Sequence, residues 1–463
     1  MQAKVLVVSH DMVGRRMAGQ GIRYWEFARA LSHRFHVTLA VPDSTDITHP
    51  DFAIKVFSRG QADTLKPLVA AADVAIMCGY LVGTMPDLAD VGTPLIADMY
   101  APYNFEAIET WAARPLAERL TLHARTWRYL NLPFRVADFF VCSGERQRDF
   151  WLGVLEANGR INPYTYGEDK TLRRLIDVVG YGLPPEPPRH TRQVLKGVYK
   201  TIVPNDKVIV WMGGIWAWYD PLTLLRAMKR INERRDDVKL VFLGVRHPAP
   251  DLVGEMEICA RAFQLSKDLG IHDRTVFFEE WVPYEERANY LLEADLGISF
   301  HFDHLEGRFC YRSRTLDFIW TGLPFIATAG DTISQLVEQY GLGRTVGFED
   351  EEGLAAAILD LLDTPNLRER LRPNFEQLAH EMTWEKVTEP LATFCAAPHL
   401  APDRAAGYVA QEFDVRALDQ EVTRCRQEVQ RLRGLVDGYE RGRFIRLVRR
   451  LNGWRRQVRG NTR

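Results

Sequence analysis

The sequence predicts an α/β protein of two doubly wound, Rossmann-like domains with parallel sheets, followed by a helical tail of different character. Three observations carry this. Apolar strand-like runs alternate with helical stretches from Lys4 onward, and the same alternation restarts at Val208. Between the two series, Tyr181 to Pro188 holds four prolines and a glycine, which permits neither a helix nor a central strand and marks a hinge. The domains are therefore expected at 1–188 and 189–398, with a heptad helix at 408–439 and a basic amphipathic helix at 440–463.

In the first series, KVLVVS (from Lys4) is a buried-strand run, and a glycine-bearing turn leads into a helix with Ile22, Trp25, Phe27, Ala28 and Leu31 on its apolar side. HVTLAVP closes a βαβ opening. The dinucleotide fingerprint GxGxxG is absent, since Tyr24 stands where its last glycine would fall, so a nicotinamide enzyme is disfavoured. Gly19 and Gly21 allow the backbone to approach a phosphate or a sugar, and they equally suit a plain strand-to-helix turn. ADVAIMC, TPLIADMY and ADFFVCS are further strands, with a helix from Leu116 to Tyr129 between the last two. Asp98, at the end of its strand, is either a cleft residue or a loop acid.

The second series runs VIVWMGG, PLTLLRAMKRI, KLVFLG, TVFFEEWVP and a helix from Tyr284 to Glu293. Gly213 and Gly214 end its first strand and permit close approach of a ligand. LEADLGISF is then a strand whose polar continuation, HFDHLEGRFCYRSRTLDFIWTGLP (from His301), emerges at the carboxyl edge where open α/β sheets bind ligands. Arg312 and Arg314 near a helix start favour a di-anionic phosphate, Asp317 one turn on suits vicinal sugar hydroxyls, and Glu306 on the preceding loop reaches a second polar group. An internal ion-pair network that only fixes the loop is the rival reading of these same residues. Gly322 and Pro324 stop the helix, and Asp331 is expected to cap the next one.

Composition excludes several classes. The 463 residues exceed one compact core, and apolar content, at 46%, is ordinary for a globular chain. No signal-like segment precedes the first strand and no run of about 18 apolar residues exists to span a bilayer, so a cytosolic protein is expected. Six cysteines without CxxC or Cys/His clustering suggest neither a metal site nor a disulfide framework.

The net charge of −2 hides an asymmetry: residues 440–463 hold nine arginines and one glutamate, +8, leaving −2 − 8 = −10 for the remainder. Val415, Leu418, Val422, Cys425, Val429, Leu432, Val436 and Tyr439 alternate spacings of three and four, a heptad seam for pairing two copies or for docking on the body. Beyond it Phe444, Leu447, Val448, Leu451, Trp454 and Val458 form an apolar stripe among the arginines. That pattern favours an anionic membrane surface over nucleic acid.

Two Rossmann-like domains, a proline-rich hinge and the segment from Trp281 to Thr328, WVPYEERANYLLEADLGISFHFDHLEGRFCYRSRTLDFIWTGLPFIAT, resemble a GT-B glycosyltransferase of the large retaining family 4. AGQGIRYWEFARAL, IADMYAPY and VCSGERQRDFWLG are similar to first-domain elements of a polysaccharide-assembly subgroup. The resemblance covers roughly residues 1–395. It implies metal-independent transfer of a hexose-like sugar, with retention, from a nucleoside diphosphate to a hydroxyl of a glycan, which the tail suggests is lipid-linked. No cofactor is implied beyond the donor.

By this resemblance Asp317 serves the ribose, Glu306 the donor sugar and Arg312 with Arg314 the diphosphate; Asp98 is placed on the acceptor side. The chain departs from the family pattern in three places. Counting back from Gly322 puts Phe309, not Glu306, at the first of the family's two glutamates; GGIWAWYDP lacks the family's Arg and Lys; and Asp98 stands where many relatives have a histidine. An epimerase or phosphorylase of the same architecture and a non-catalytic scaffold that oligomerises through its tail are the alternatives.

Overall fold

The computed structural model describes residues 2–247, 254, 256–408, 415–440, 442, 447, 450 and 451. Strands β1 (Lys4–Val8), β2 (His36–Pro42), β3 (Ala53–Phe57), β4 (Val74–Cys78), β5 (Leu95–Asp98), β6 (Phe139–Cys142) and β7 (Ile176–Val178) form a seven-stranded sheet in the order β3-β2-β1-β4-β5-β6-β7. Every pairing in it is parallel. Strands β8 (Lys207–Met212), β9 (Val238–Leu243), β10 (Val276–Glu279), β11 (Leu296–Ser299), β12 (Phe325–Thr328) and β13 (Gly343–Val346) form a second parallel sheet, ordered β10-β9-β8-β11-β12-β13. In both, the order reverses beside the first strand, which opens a crevice at the carboxyl ends of β1 and β8. Central strands are buried on both faces, VAIMC of β4 and VKLVFL of β9 throughout, as parallel sheets covered by helices require.

Both sheets lie in one compact unit, Met1–Tyr408. After the second sheet the chain returns to the first. Trp384 packs edge-on against Phe27 with ring centroids 6.0 Å apart, and Phe394 stacks on Phe139 at 5.0 Å. Buried Arg160 holds Asp403 through Nε at 2.7 Å. Residues 384–405 thus belong with the first half, where the sequence assigned residues up to 398 to the second. Trp384 also lies across the hinge: a Cβ on Gly182 would come within 2.6 Å of its backbone.

The remaining unit is described by itself. Val415–Glu440 forms one 26-residue helix, and the seam residues Cys425, Val429, Leu432 and Val436 on it are exposed. Nearly all of the basic segment 440–463 lies outside the described residues. Among the described residues no helix is long and apolar enough to cross a membrane.

Candidate active site

A cleft of about 770 Å³ lies between the carboxyl edges of the two sheets, lined by both halves. From the second half, Gly213 follows β8 with φ +78°, a left-handed conformation that favours glycine, and turns the chain out of the sheet. Gly214 packs under Trp216, whose indole would lie 2.9 Å from an added Cβ. The Gly214 carbonyl accepts from Arg314 Nη2 at 2.7 Å, and the Arg314 guanidinium lies 3.7 Å above the Tyr219 ring. Its Nη1 is buried without a hydrogen-bond partner. Burial and the charge of Arg312 pull the Arg314 guanidinium below the usual arginine range, although Tyr219 opposes this. A cation in this position is stabilised by any anion that enters the cleft.

Asp317 sits on the same wall, on the helix Leu316–Thr321 that Gly322 ends with φ +61°. Its Oδ1 accepts from Arg287 Nε at 3.0 Å. Arg287 in turn lies 3.5 Å over the Tyr284 ring and 4.6 Å from Trp320, so that aromatic packing and the ion pair fix the Asp317 carboxylate at the rim. Arg287 was not singled out from the sequence; its position three residues after Tyr284, at the start of a predicted helix, is the only signal.

Arg312 and Glu306 are placed differently from the sequence expectation. Arg312 Nη1 and Nη2 donate to Glu306 Oε1 and Oε2 at 2.9 and 2.6 Å, and both side chains are buried away from the cleft wall. Arg312 Nε is 3.8 Å from Asp331, and Asp331 both contacts His301 at 3.4 Å and caps its helix through Ser334 N at 2.6 Å. Burial alone would raise the Asp331 carboxyl, but His301, Arg312 and the Ser334 amide hold it below the carboxylate range. The fork-to-fork geometry pairs both Arg312 Nη groups with the two Glu306 oxygens, so that each charge is compensated within the segment. The structure joins Arg312 and Glu306, expected at the diphosphate and the donor sugar, in one internal clamp, the arrangement of the rival reading of the loop. The short helix carrying Glu306, Leu305–Phe309, docks on the first half, where Gln147 Nε2 donates to Phe309 O at 2.6 Å and Phe309 stacks on Phe105.

Asp98, expected on the acceptor side, is likewise paired internally. It has no exposed surface, and Arg23 Nε and Nη2 hold its two oxygens at 2.7 and 3.0 Å. Arg23 also donates to the carbonyls of Val179 and Gly180, so the pair fastens the first helix, Gly19–Ser32, to the ends of β5 and β7. The pair is a brace behind the cleft. Gly19 does line the cleft, where an added Cβ would come 3.4 Å from Ser313 Oγ of the other half. Gly21 instead packs on the preceding loop, with Met12 O only 2.3 Å from an added Cβ.

The titratable groups of the first half at the cleft were missed from sequence: His10 and Asp11 just beyond β1, and Glu106. Asp11 Oδ2 lies 3.3 Å from His247 Nε2, a contact that spans the two halves. Burial would raise the Asp11 carboxyl, but His247 by hydrogen bond and charge holds it below its ordinary value. Glu106, on the helix Tyr103–Thr110, is pushed up to about 8 by burial and by the Glu306 charge, against the pull of Arg312. Ligand atoms of Glu106, Glu306 and Cys310 lie within 4.8 Å of one another, but Arg312 already occupies both Glu306 oxygens, so the cluster is a poor cation site. His10 and Asp11 follow directly on the apolar run of β1, at the edge where open α/β sheets bind ligands; that was the available signal.

Two facing parallel α/β sheets with the hinge between them and the last helices returning to the first define the GT-B class. Residues 206–364, about a third of the chain, match the family model described as glycosyl transferases group 1. Sucrose-phosphate synthase from Thermosynechococcus elongatus superposes with TM-score 0.58 at 14% identity, over 85% of this chain and 98% of that one. HepE from Anabaena, in complex with UDP-glucose, gives TM-score 0.58 at 14% identity over 85% and 100%. WaaG, a glycosyltransferase involved in lipopolysaccharide biosynthesis, gives 0.57 at 14% over 85% and 99%. No curated protein sequence matches the chain. The fold is GT-B, and all six strands of its second sheet fall within the stretch that matches the group 1 model.

Proposed function

We propose that the protein is a retaining glycosyltransferase that moves a hexose-like sugar from a nucleoside diphosphate to a hydroxyl of a glycan acceptor carried on a lipid. The observation that carries this reading is Arg314, a buried cation with an unpartnered Nη1 at the cleft wall beside the Gly213–Gly214 turn. A diphosphate supplies the missing counter-charge, and as the glycosidic bond breaks the charge developing on it is stabilised by a guanidinium already in place. Asp317, oriented by Arg287, accepts from ribose hydroxyls. HepE, the similar protein above, was solved with UDP, with UDP and glucose, and with UDP-glucose, which supports a nucleotide-sugar donor. The reading assigns the diphosphate's counter-charge to a side chain, so turnover is expected to survive a chelator.

The acceptor side is given to the first half, whose cleft wall includes His10, Gln20 and Glu106. The basic segment 440–463 is assigned to an anionic membrane at the cytoplasmic face, and the seam of Val415–Glu440, exposed at Cys425, Val429, Leu432 and Val436, to pairing with a second copy. Incubating the protein with a panel of nucleotide-sugars tests the reading. Slow release of nucleoside diphosphate from one donor is expected; an epimerase would interconvert a donor without releasing it, and a scaffold would do neither.

A further inference from the structure

Among the described residues of the compact unit, the three most exposed large apolar side chains all lie on one helix, Leu116–Val136: Leu116 at 66%, Leu120 at 60% and Trp127 at 58%. Spacings of four and seven put them within about 40° of one another on a helical wheel. The buried residues of this helix, Leu130, Pro133 and Phe134, belong to its last two turns, so the first turns project from the core. Isolated exposed apolar residues are ordinary, but an aligned Leu-Leu-Trp stripe on one helix face is a patch.

Charge indicates what covers it. Between residues 114 and 128 there are four arginines, Arg114, Arg119, Arg125 and Arg128, and one acid, Glu118, a local balance of 4 − 1 = +3. Arg114 already holds Glu118 at 2.5 Å. Outside the last 24 residues the chain carries −10, so this basic stretch stands out against an acidic body. Apolar side chains flanked by arginines on the outer face of a helix match the boundary between lipid headgroups and acyl chains, where the rings and methyls are buried and the guanidiniums reach phosphate.

The patch is also tied to the cleft. The long helix packs on Gly79–Thr84, so closely that a Cβ on Gly83 would fall 1.8 Å from Tyr129 O, and Tyr80 and Thr84 of that short helix line the cleft. We infer that the first half docks on an anionic lipid surface through Leu116, Leu120 and Trp127, flanked by Arg119 and Arg128, which sets the acceptor wall of the cleft beside the bilayer. This surface is separate from the basic tail and does not depend on the identity of the reaction.

The test is co-sedimentation of the full chain with vesicles of phosphatidylglycerol and phosphatidylcholine, against phosphatidylcholine alone. The double variant Leu120→Glu, Trp127→Glu is expected to lower partition into the anionic vesicles by at least about tenfold, because each contact surface multiplies the binding constant. The charge variant Arg119→Gln, Arg128→Gln should lower it too, and added salt should weaken the wild type. All four side chains are removed from the cleft, so the thermal midpoint and donor hydrolysis in vesicle-free buffer should not change, which separates failure here from failure of the transferase reading. Unchanged partition in both variants overturns the inference. So does a double variant that loses a dimer in gel filtration while keeping its lipid affinity, since the stripe would then be covered by a second copy.

Discussion

Asp98 and Asp317 are both single carboxylates at ends of elements in their own halves, and each is held by an arginine, yet they have different surroundings. Asp98 gives both oxygens to Arg23 behind the cleft, whereas Asp317 has Oδ1 on Arg287 and stands at the cleft rim. Removing one partner of a buried pair strands the other charge, so Asp98→Ala should destabilise the fold by about 3–5 kcal/mol. Chemical denaturation measures this; a variant that loses turnover at full stability would restore the acceptor role. Asp317→Asn should weaken binding of a free nucleoside diphosphate. Glu306→Gln should leave that affinity intact and lower the thermal midpoint, because Arg312 loses its charge partner in a buried site. Equal losses of nucleotide affinity in the two variants would show that Glu306 also reaches the donor.

At the scale of elements, the helix Tyr103–Thr110 and the loop helix Leu305–Phe309 meet across the two halves, and the meeting brings two carboxyls together. Glu106 titrates at about 8 in the folded chain against 4.5 ordinarily. A raised carboxyl pKa means the native state holds the proton more tightly, so this contribution is fully present below about pH 4.5 and is lost as pH rises through about 8. Glu106→Gln is neutral throughout. The variant's thermal midpoint should therefore gain on the wild type between pH 6 and pH 9, and parallel curves would contradict the assignment.

The central strands were legible in the sequence because burial on both faces leaves near-continuous apolar runs such as VAIMC and VKLVFL. The strands not anticipated, β3, β7 and β13, are all at sheet edges, where half-exposed patterns such as that of Ala53–Phe57 carry little signal. The Asp331 cap and the Gly322 stop were readable because local chemistry decides them. Arg312 could not be told from Arg314 by sequence, since two residues on one loop differ only in which partner the fold selects: nearby Glu306 for one, the distant Gly214 carbonyl for the other. The Arg23–Asp98 pair, 75 residues apart, was invisible for the same reason.

For the molecule as a whole, the proposed arrangement puts a cleft between two sheets, a patterned apolar helix on one half and a basic tail into one chain. Removing residues 440–463 should lower co-sedimentation with anionic vesicles and leave donor hydrolysis intact, because none of the residues assigned to donor or acceptor above belongs to that segment. Loss of hydrolysis on truncation would tie the tail to the site. The central claim is that the cleft binds a nucleoside diphosphate through the uncompensated Arg314. Calorimetric titration of nucleoside diphosphates into the wild type and Arg314→Ala tests it most directly: the preferred diphosphate should lose about 2–5 kcal/mol of binding free energy in the variant, as expected for a desolvated charge-assisted contact. Equal affinity in the two proteins, or no diphosphate bound by either, would contradict the account.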